Sequence, residues 1–503
     1  MPALRIQPKE HIVPAPTSRE GEASRRQRED LLARYNRDWT NHYCGASALV
    51  LRPRSTSEVS SILRYCHDEC IGVVPQGGHT GLCGAATPLR DEIVLSLEDM
   101  NAIHGIDEHS GILTCDTGCI LQHLHEYAHA RSYLVPLDIG AKGTCQIGGN
   151  ISTNAGGQYF NRFGGLHGTV MGLEVVLPDG RVLRLNLEVN DDGTVRRNGT
   201  HRKDNTGYDL KHLFIGAEGT LGVVTKVAVA CPALPVSTNA AMLVCDSYER
   251  VLEVLQTAKE ELGEILSATE VIDHNTLLLV AQNNSESRLL RDLLSADPST
   301  PQPLVLLVET QGSHFEHDAA KMDSFLARLH ERNVIANGFL ARDIAQVQDM
   351  WRIRESCNAS AARAGRVHKF DVSVPLAEYM ATAREVEQEL ASPAPPTDLT
   401  VCVWGHVGDG NAHINVVTPG RHGKDAALAA RIEAAVYGAV RRRNGSISAE
   451  HGLGQAKHEL VGSTKAPGVL DVMTDVKALF DPRGIMNPGK YLPPSKSNTQ
   501  IGT

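Results

Sequence analysis

The sequence predicts an α+β fold built from at least two domains, and three observations carry that reading. A chain of 503 residues exceeds what one hydrophobic core serves. Its first half holds three segments rich in Gly, Thr and Asn, too many for simple changes of direction. From Cys231 (CPALP) onward, strand-like and helix-like runs alternate as in an antiparallel sheet carrying helices.

Composition narrows the function classes. Hydrophobic residues make up 42% and charged residues 21%, ordinary values for a globular protein. No apolar run is long enough to span a bilayer. A formal charge of −10 and a pI near 6.1 argue against nucleic acid as the main partner and leave room for a local basic pocket taking a small anion. The 11 cysteines are scattered; Cys66/Cys70 and Cys115/Cys119 have CxxxC spacing, not the CxxC of redox or zinc motifs. Reduced thiols and an intracellular home follow. The first nine residues hold Arg5 and Lys9 and no acid, which fits a mitochondrial presequence, with the cytoplasm as the alternative.

Taken in order, residues 1–43 read as an extended arm with one charged helix, Ser24 to Tyr35. Ser55-Thr56-Ser57-Glu58 is a capping box, and Val59, Ile62, Leu63 and Cys66 follow at helical spacing, with Cys66 a small buried hydrophobe. A strand, Ile71 to Val74, runs into the loop PQGGHTGLCG (75–84). Glycines directly after a strand let backbone N–H groups close around a pyrophosphate, because no Cβ blocks the approach. No Gly-Lys-Ser/Thr follows, so this is not a P-loop; the glycine spacing is also wrong for a Rossmann fingerprint, and no helix opens from it. The second segment is 136–165 (PLDIGAKGTCQIGGNISTNAGGQYFNRFGG) and the third 203–226 (KDNTGYDLKHLFIGAEGTLGVVTK). Together they point to a large phosphate-bearing cofactor.

These segments closely resemble the FAD-binding domain of the vanillyl-alcohol oxidase superfamily, in its D-2-hydroxyacid dehydrogenase branch, from about Trp39 to Tyr491. The resemblance implies a two-part FAD-binding domain with an antiparallel-sheet cap that binds substrate. It divides the chain into an arm (1–43), an FAD-binding domain (44–232), the cap (233–444) and a segment returning to the FAD domain (445–503). It further implies that Gln76, Gly77, Gly78, His79, Thr80 and Gly81 wrap the FAD pyrophosphate. Thr144, Gly148, Asn150, Thr153, Asn154 and Gly156 would line the flavin and diphosphate; Glu218, Gly219 and Val224 the adenosine side. His79 stands where the hydroxyglutarate enzymes usually have asparagine. A non-covalent histidine is the preferred reading over a covalent flavin tether.

In the cap, strands are expected at Ala241 to Cys245, Ile265 to Ile272 and Pro303 to Glu309, with helices after the first and at about Phe315 to Glu331. Val347, Met350, Trp351 and Arg354 share one helix face, and Asn358 lies a turn beyond Arg354. Alternation over Val367 to Pro375 puts Lys369, Asp371 and Ser373 on one strand face. A cation on a mostly apolar helix face, with another on the next strand, favours a carboxylate site. The resemblance assigns Arg354 and Lys369 to the substrate carboxylate; Asn358 departs from the family's threonine, which leaves D-lactate and other D-2-hydroxyacids open beside D-2-hydroxyglutarate.

The stretch VCVWGHVGDGNAHINVV (401–417) reads as a β-hairpin with a polar tip. His406 ends its first run; His413 and Asn415 share a face of the second. Spacing alone leaves the two histidines equally readable as structural. Within GSISAEHGLG (445–454), Glu450 and His451 are placed where a short strand meets a glycine turn. His406, His413 and Glu450 make an open three-ligand set of the catalytic zinc type, which also suits iron(II); the family motifs GHVGDGNAH and AEHG favour ligation. A redox-inert ion, Zn2+, is preferred because the flavin takes the electrons. His451 is then the general base, and Arg354, Lys369, Asn358 and Asn415 hold the carboxylates. The tail carries a helix and DPRGIMNPGKYLP, in which Asn487 would approach the flavin, and residues after Pro493 are polar and expected to be disordered.

The expected partners are a small D-2-hydroxyacid and an electron acceptor such as an electron-transfer flavoprotein or quinone-linked carrier, with a homodimer left open. D-lactate dehydrogenase is the rival on the same scaffold. A flavin-free metal hydrolase at His406, His413 and Glu450 is the rival from another class, and a flavin-binding scaffold without turnover is a third reading.

Overall fold

The computed structural model describes residues 12–14, 22–196, 199–295, 302–335, 337–392 and 398–494. Arg5, Lys9 and the tail from 495 lie outside them, and with them the presequence and disorder readings. The chain divides into two units: residues 1–156, 165–234 and 450–503, and residues 157–164 and 235–449. The eight residues 157–164 fall in the second unit, whereas the sequence reading placed them in the FAD-binding domain.

In the first unit, a four-stranded sheet has the order β1 (Ile12–Pro14), β2 (Leu49–Leu51), then β4 (Ile93–Ser96) and β3 (Val73–Gln76), with β2, β3 and β4 parallel. The amphipathic helix Thr56–Asp68 covers it, burying Val59, Ile62, Leu63 and Cys66 against Val73 and Leu95. Each such side chain removed from water contributes about 1.5–3 kcal/mol. Ser55 caps this helix by accepting the Glu58 N–H at 3.3 Å; the returning Glu58 bond goes to Arg54 N (2.7 Å), one residue upstream of the expected capping box. The strand after the helix starts two residues later than the sequence indicates, at Val73.

A second sheet of this unit is ordered β5 (Ile103–Ile106), β6 (Ile112–Asp116), β9 (Val223–Ala230), β7 (Val170–Val176) and β8 (Val182–Leu185), antiparallel throughout. Leu173, Val175, Val227 and Val229 pack with Ile147 and Ile151 of the short helix Ile147–Thr153. The second glycine segment is thereby fastened to a rigid core. The C-terminal chain joins the first sheet at Val73, which bridges Met486.

The second unit is built on one seven-stranded antiparallel sheet, in the order β13-β10-β12-β11-β15-β16-β14: β10 is Ser237–Cys245, β11 Leu266–Ile272, β12 Leu304–Gly312, β13 Asn337–Leu340, β14 Gly365–Ser373, β15 Thr400–His406 and β16 Asn411–Pro419. Met242, Val244, Ile272, Val305, Leu307, Cys402 and Trp404 form a core with Val347, Met350, Ile353, Cys357 and Ala361 of the helix Ile344–Ala364. That helix therefore lies along the sheet face that also carries the hairpin histidines, because period-2 alternation puts Cys402, Trp404 and His406 on one side.

Candidate active site

The hairpin forms as read, β15 and β16 joined by the turn at residues 407–410. Cross-strand register then sets the site. His413 pairs with Trp404 on one side and Asp371 on the other; Asn415 pairs with Lys369; His406 pairs with Glu270 of β11. Register partners share a face, so Glu270, His406, His413, Asn415, Lys369 and Asp371 converge on the side covered by the helix Ile344–Ala364.

Glu270 is fully buried, and sequence reasoning missed it. Its Oε1 accepts from His406 Nδ1 and its Oε2 from Arg354 Nε at 2.6 Å. Burial raises its pKa, but the Arg354 cation and His406 outweigh that and hold the carboxyl down to about 2. The signal was present: a lone acid in the apolar run ILSATEVI (265–272). Arg354, expected to grip substrate, is thus tethered through Nε, while its two terminal nitrogens have no hydrogen-bond partner among the described residues. A guanidinium held in this way offers a two-pronged donor to a carboxylate. Burial pushes the Lys369 ammonium below its ordinary pKa. Asn358 is exposed one turn on, and Asn415 is buried, with Nδ2 donating to His413 O at 3.2 Å.

Asp371 is the second residue whose role went unread. It accepts from Asn411 Nδ2 (2.8 Å) and from Ala449 N (3.1 Å), and its Oδ1 lies 3.7 Å from His413 Nδ1. The rings of His406 and His413 are 5.6 Å apart. The expected strand before Glu450 is replaced by a single bridge, Ser373 to Ser446. That bridge and the Ala449–Asp371 bond pin the chain at the Asp371 end of β14, and Glu450 and His451 follow directly. Within this unit, the imidazole of His413 beside the carboxylate of Asp371 offers nitrogen and oxygen donors of the kind that suit a zinc-type cation.

In the first unit, Glu450 lies against Gly156: a Cβ added to that glycine would sit 2.7 Å from Glu450 Oε2. His451 Nε2 is 3.7 Å from Glu450 Oε1. A cavity of about 740 Å³ is lined by Gln76, Gly77, Gly78, His79, Thr144 and Gln146, together with Arg34, Arg37 and Trp39 of the arm. Trp39 Nε1 donates to Thr80 O at 3.0 Å. The sequence reading gave these arm residues no role, although the basic and aromatic run RYNRDW was legible. Gly78 has no room for a side chain, since a Cβ would meet Thr144 O at 2.2 Å. Gly148 also packs closely on Thr117, where a Cβ would sit 2.6 Å from the Thr117 Cβ, whereas Gly81 faces open space.

Four non-glycine residues assigned to the cofactor by resemblance, His79, Asn154, Glu218 and Asn487, have positive φ (56°, 49°, 50° and 47°). Such residues are uncommon and gather at ligand sites. Gln146 Oε1, Asn150 Oδ1 and Asn154 Oδ1 are buried without a hydrogen-bond partner among the described residues. Each costs about 1–3 kcal/mol unless a ligand or water satisfies it, so the segment fits a large polar cofactor. Thr144 and Thr153 turn their hydroxyls onto Ala141 O and Gly149 O. His79 Nε2 is 2.8 Å from Thr87 Oγ1, and burial lowers its pKa. Glu218 spends its carboxylate on the N–H groups of Leu453 and Gly454, while Gly219 (φ 71°) abuts Pro75 and Val224 is buried in β9. Asn487 Nδ2 donates to Ala85 O and Glu218 O, joining the first glycine loop to the third.

Comparison with known proteins agrees with this architecture. Residues 47–186 match the family described as FAD binding domain, and residues 234–491 the family of FAD linked oxidases, C-terminal domain. A probable mitochondrial D-2-hydroxyglutarate dehydrogenase of Oryza sativa subsp. indica is 43% identical, over 93% of this chain and 79% of the rice protein. A putative mitochondrial D-lactate dehydrogenase of Schizosaccharomyces pombe is 43% identical, over 91% of this chain and 84% of its own. An alkyldihydroxyacetonephosphate synthase structure shares the fold at a TM-score of 0.70 and 17% identity, covering 88% of this chain and 77% of that one. The chain belongs to the FAD-linked oxidases, in their D-2-hydroxyacid dehydrogenase branch.

Proposed function

We propose that this enzyme oxidises D-2-hydroxyglutarate to 2-oxoglutarate, using FAD and one divalent metal ion, Zn2+. The observation that carries the reading is the tethered Arg354 on the same sheet face as Lys369, Asn415, His406 and His413. Bound FAD supplies the hydride-accepting chemistry. The glycine loop 76–81, the segment 144–156 with its orphaned oxygens, the turn at Glu218, Gly219 and Val224, and Asn487 would hold that cofactor. His406, His413 and Glu450 would hold the metal, which supplies Lewis acidity at the hydroxyl-bearing carbon's oxygen. Arg354, with Lys369, Asn358 and Asn415, binds the substrate carboxylates by charge-assisted hydrogen bonds. His451 takes the proton of the C2 hydroxyl, as an imidazole can through a ring-nitrogen lone pair.

A D-lactate dehydrogenase is the second reading, favoured by Asn358 standing where the hydroxyglutarate enzymes have threonine and by the name of the fission-yeast relative. The flavin-free hydrolase is set aside by membership in an FAD-binding family. Reduced enzyme passes its electrons to an electron-transfer flavoprotein or a quinone-linked carrier. A mitochondrial location follows the names of the relatives. No helix among the described residues is long and apolar enough to cross a membrane.

The test is a dye-coupled panel of D-2-hydroxyacids with metal analysis on the same sample. The reading expects D-2-hydroxyglutarate as best substrate, about one zinc per chain, activity lost on chelation and restored by Zn2+, and turnover lost in His451→Ala with FAD retained. Preference for D-lactate selects the second reading; indifference to chelation removes the metal, and near-normal His451→Ala turnover removes the base.

A further inference from the structure

Resting on the function proposed above, we infer that Glu270 is a positioning residue joining the two halves of substrate recognition: it sets the tautomer of the metal ligand His406 and aims the carboxylate fork of Arg354. The two halves come from distant parts of the chain. Glu270 is 84 positions from Arg354 and 136 from His406, yet both meet one carboxylate.

Strand register makes the first contact. Glu270 on β11 is the direct partner of His406 on β15, so the two side chains rise from the same face. The Nδ1–H of His406 donates to Glu270 Oε1. An imidazole whose Nδ1–H is held by a carboxylate presents its lone pair at Nε2, the form a metal ligand requires, and such outer partners raise ligand basicity.

The helix makes the second contact. Ile353 and Cys357 bury their side chains against the sheet, which brings the intervening Arg354 down beside β11. Its Nε donates to Glu270 Oε2 at 2.6 Å. With Nε taken, rotation of the planar guanidinium is restricted and both terminal nitrogens form the donor edge. The Glu270 side chain is 1% exposed and that of Arg354 12%. A carboxylate buried this deeply is tolerated only with its countercharge in place, so neither partner can relax without the other.

Each half has its own readout. Loss of the His406 contact weakens metal binding and acts on every D-2-hydroxyacid. With the metal side taking the hydroxyl-bearing end of the substrate, Arg354 is left the distal carboxylate, which D-2-hydroxyglutarate has and D-lactate lacks, so loss of the Arg354 contact acts on that end. One side chain therefore controls metal affinity and dicarboxylate preference together.

The experiment compares wild type with Glu270→Gln and Glu270→Asp. Gln keeps the length and removes the charge; Asp keeps the charge and cannot reach both partners, and it guards against misfolding of the Gln variant. Each protein is checked for FAD content, stripped with chelator, titrated with Zn2+ against a chromophoric chelator, and assayed on D-2-hydroxyglutarate and D-lactate. With FAD content normal, zinc affinity is expected to fall about 10- to 100-fold, and the D-2-hydroxyglutarate to D-lactate ratio of kcat/KM to fall about tenfold in line with one lost charge-assisted contact. A variant with normal FAD, unchanged zinc affinity and an unchanged substrate ratio overturns the role of Glu270 alone. A wild type that neither binds zinc nor oxidises either acid overturns the functional reading and this inference with it.

Discussion

Glu218 accepts the backbone N–H of Gly454 at 2.8 Å, and this contact ties the turn before β9 to the chain three residues past His451. The same carboxylate accepts from Leu453 N at 2.6 Å, its own N–H donates to Ser152 O at 2.7 Å, and its carbonyl accepts from Asn487. Burial raises its pKa, and the two N–H groups offset part of that rise. Three segments expected at the cofactor meet at this one residue, held in a left-handed conformation.

Glu218→Ala removes two hydrogen bonds to a buried carboxylate and should destabilise the protein by about 2–4 kcal/mol. The turn carrying His451 loses its anchor, so kcat should fall more than KM rises. Thermal denaturation and dye-coupled kinetics check both; unchanged kinetics in a folded variant would show that the turn holds itself.

Arg354→Met strands the Glu270 carboxylate in an apolar strand. Breaking a buried pair in this way costs about 3–5 kcal/mol. KM for D-2-hydroxyglutarate should rise at least tenfold, with a smaller change for D-lactate. Equal effects on the two acids would place Arg354 away from the distal carboxylate.

Gly78→Ala puts a Cβ 2.2 Å from the Thr144 carbonyl, a backbone atom that cannot step aside. The first glycine loop must open, and the protein should purify with little or no FAD. Gly81→Ala, which meets nothing within 4 Å, is the matched control and should keep its flavin. Absorbance at flavin wavelengths after desalting separates the two.

Burial pushes the Lys490 ammonium down to about 7 from an ordinary value of 10.5. Its amine bonds to Ala85 O and Asn487 Oδ1. Between pH 7 and 10.5 the unfolded chain binds the proton that the folded chain has released, so stability rises with pH there, by at most about 1.4 kcal/mol per pH unit. It is lost again as pH falls through 7. Denaturant midpoints measured across this range should climb for wild type and flatten for Lys490→Met.

Much of the cofactor half was legible along the chain. The glycines of 76–81 and 143–157 announce a backbone that must close on something, and that requirement is local. The faces of β14 and β16 were also legible, because alternation is a property of neighbouring residues: Lys369 and Asp371, like His413 and Asn415, lie where period 2 puts them. The expected strand before Glu450 failed for the opposite reason. Ser446 to Ala449 take their conformation from contacts with Ser373 and Asp371, more than 70 positions away.

By itself, then, the sequence determined the family, the cofactor class, and which histidines and cations share the strand and helix faces of the site, since motif chemistry and side-chain period are written within a few residues. Tertiary structure alone decided that Glu270 joins Arg354 to His406, that Asp371 stands beside His413, that Arg37 and Trp39 line the glycine-loop cavity, and that Glu218 serves the His451 turn. The physical reason is register and burial. Which strand lies next to which, and how far each is slid, is set by the summed packing of the whole sheet, and an acid such as Glu270 acquires a role only when that packing removes water and supplies both of its partners.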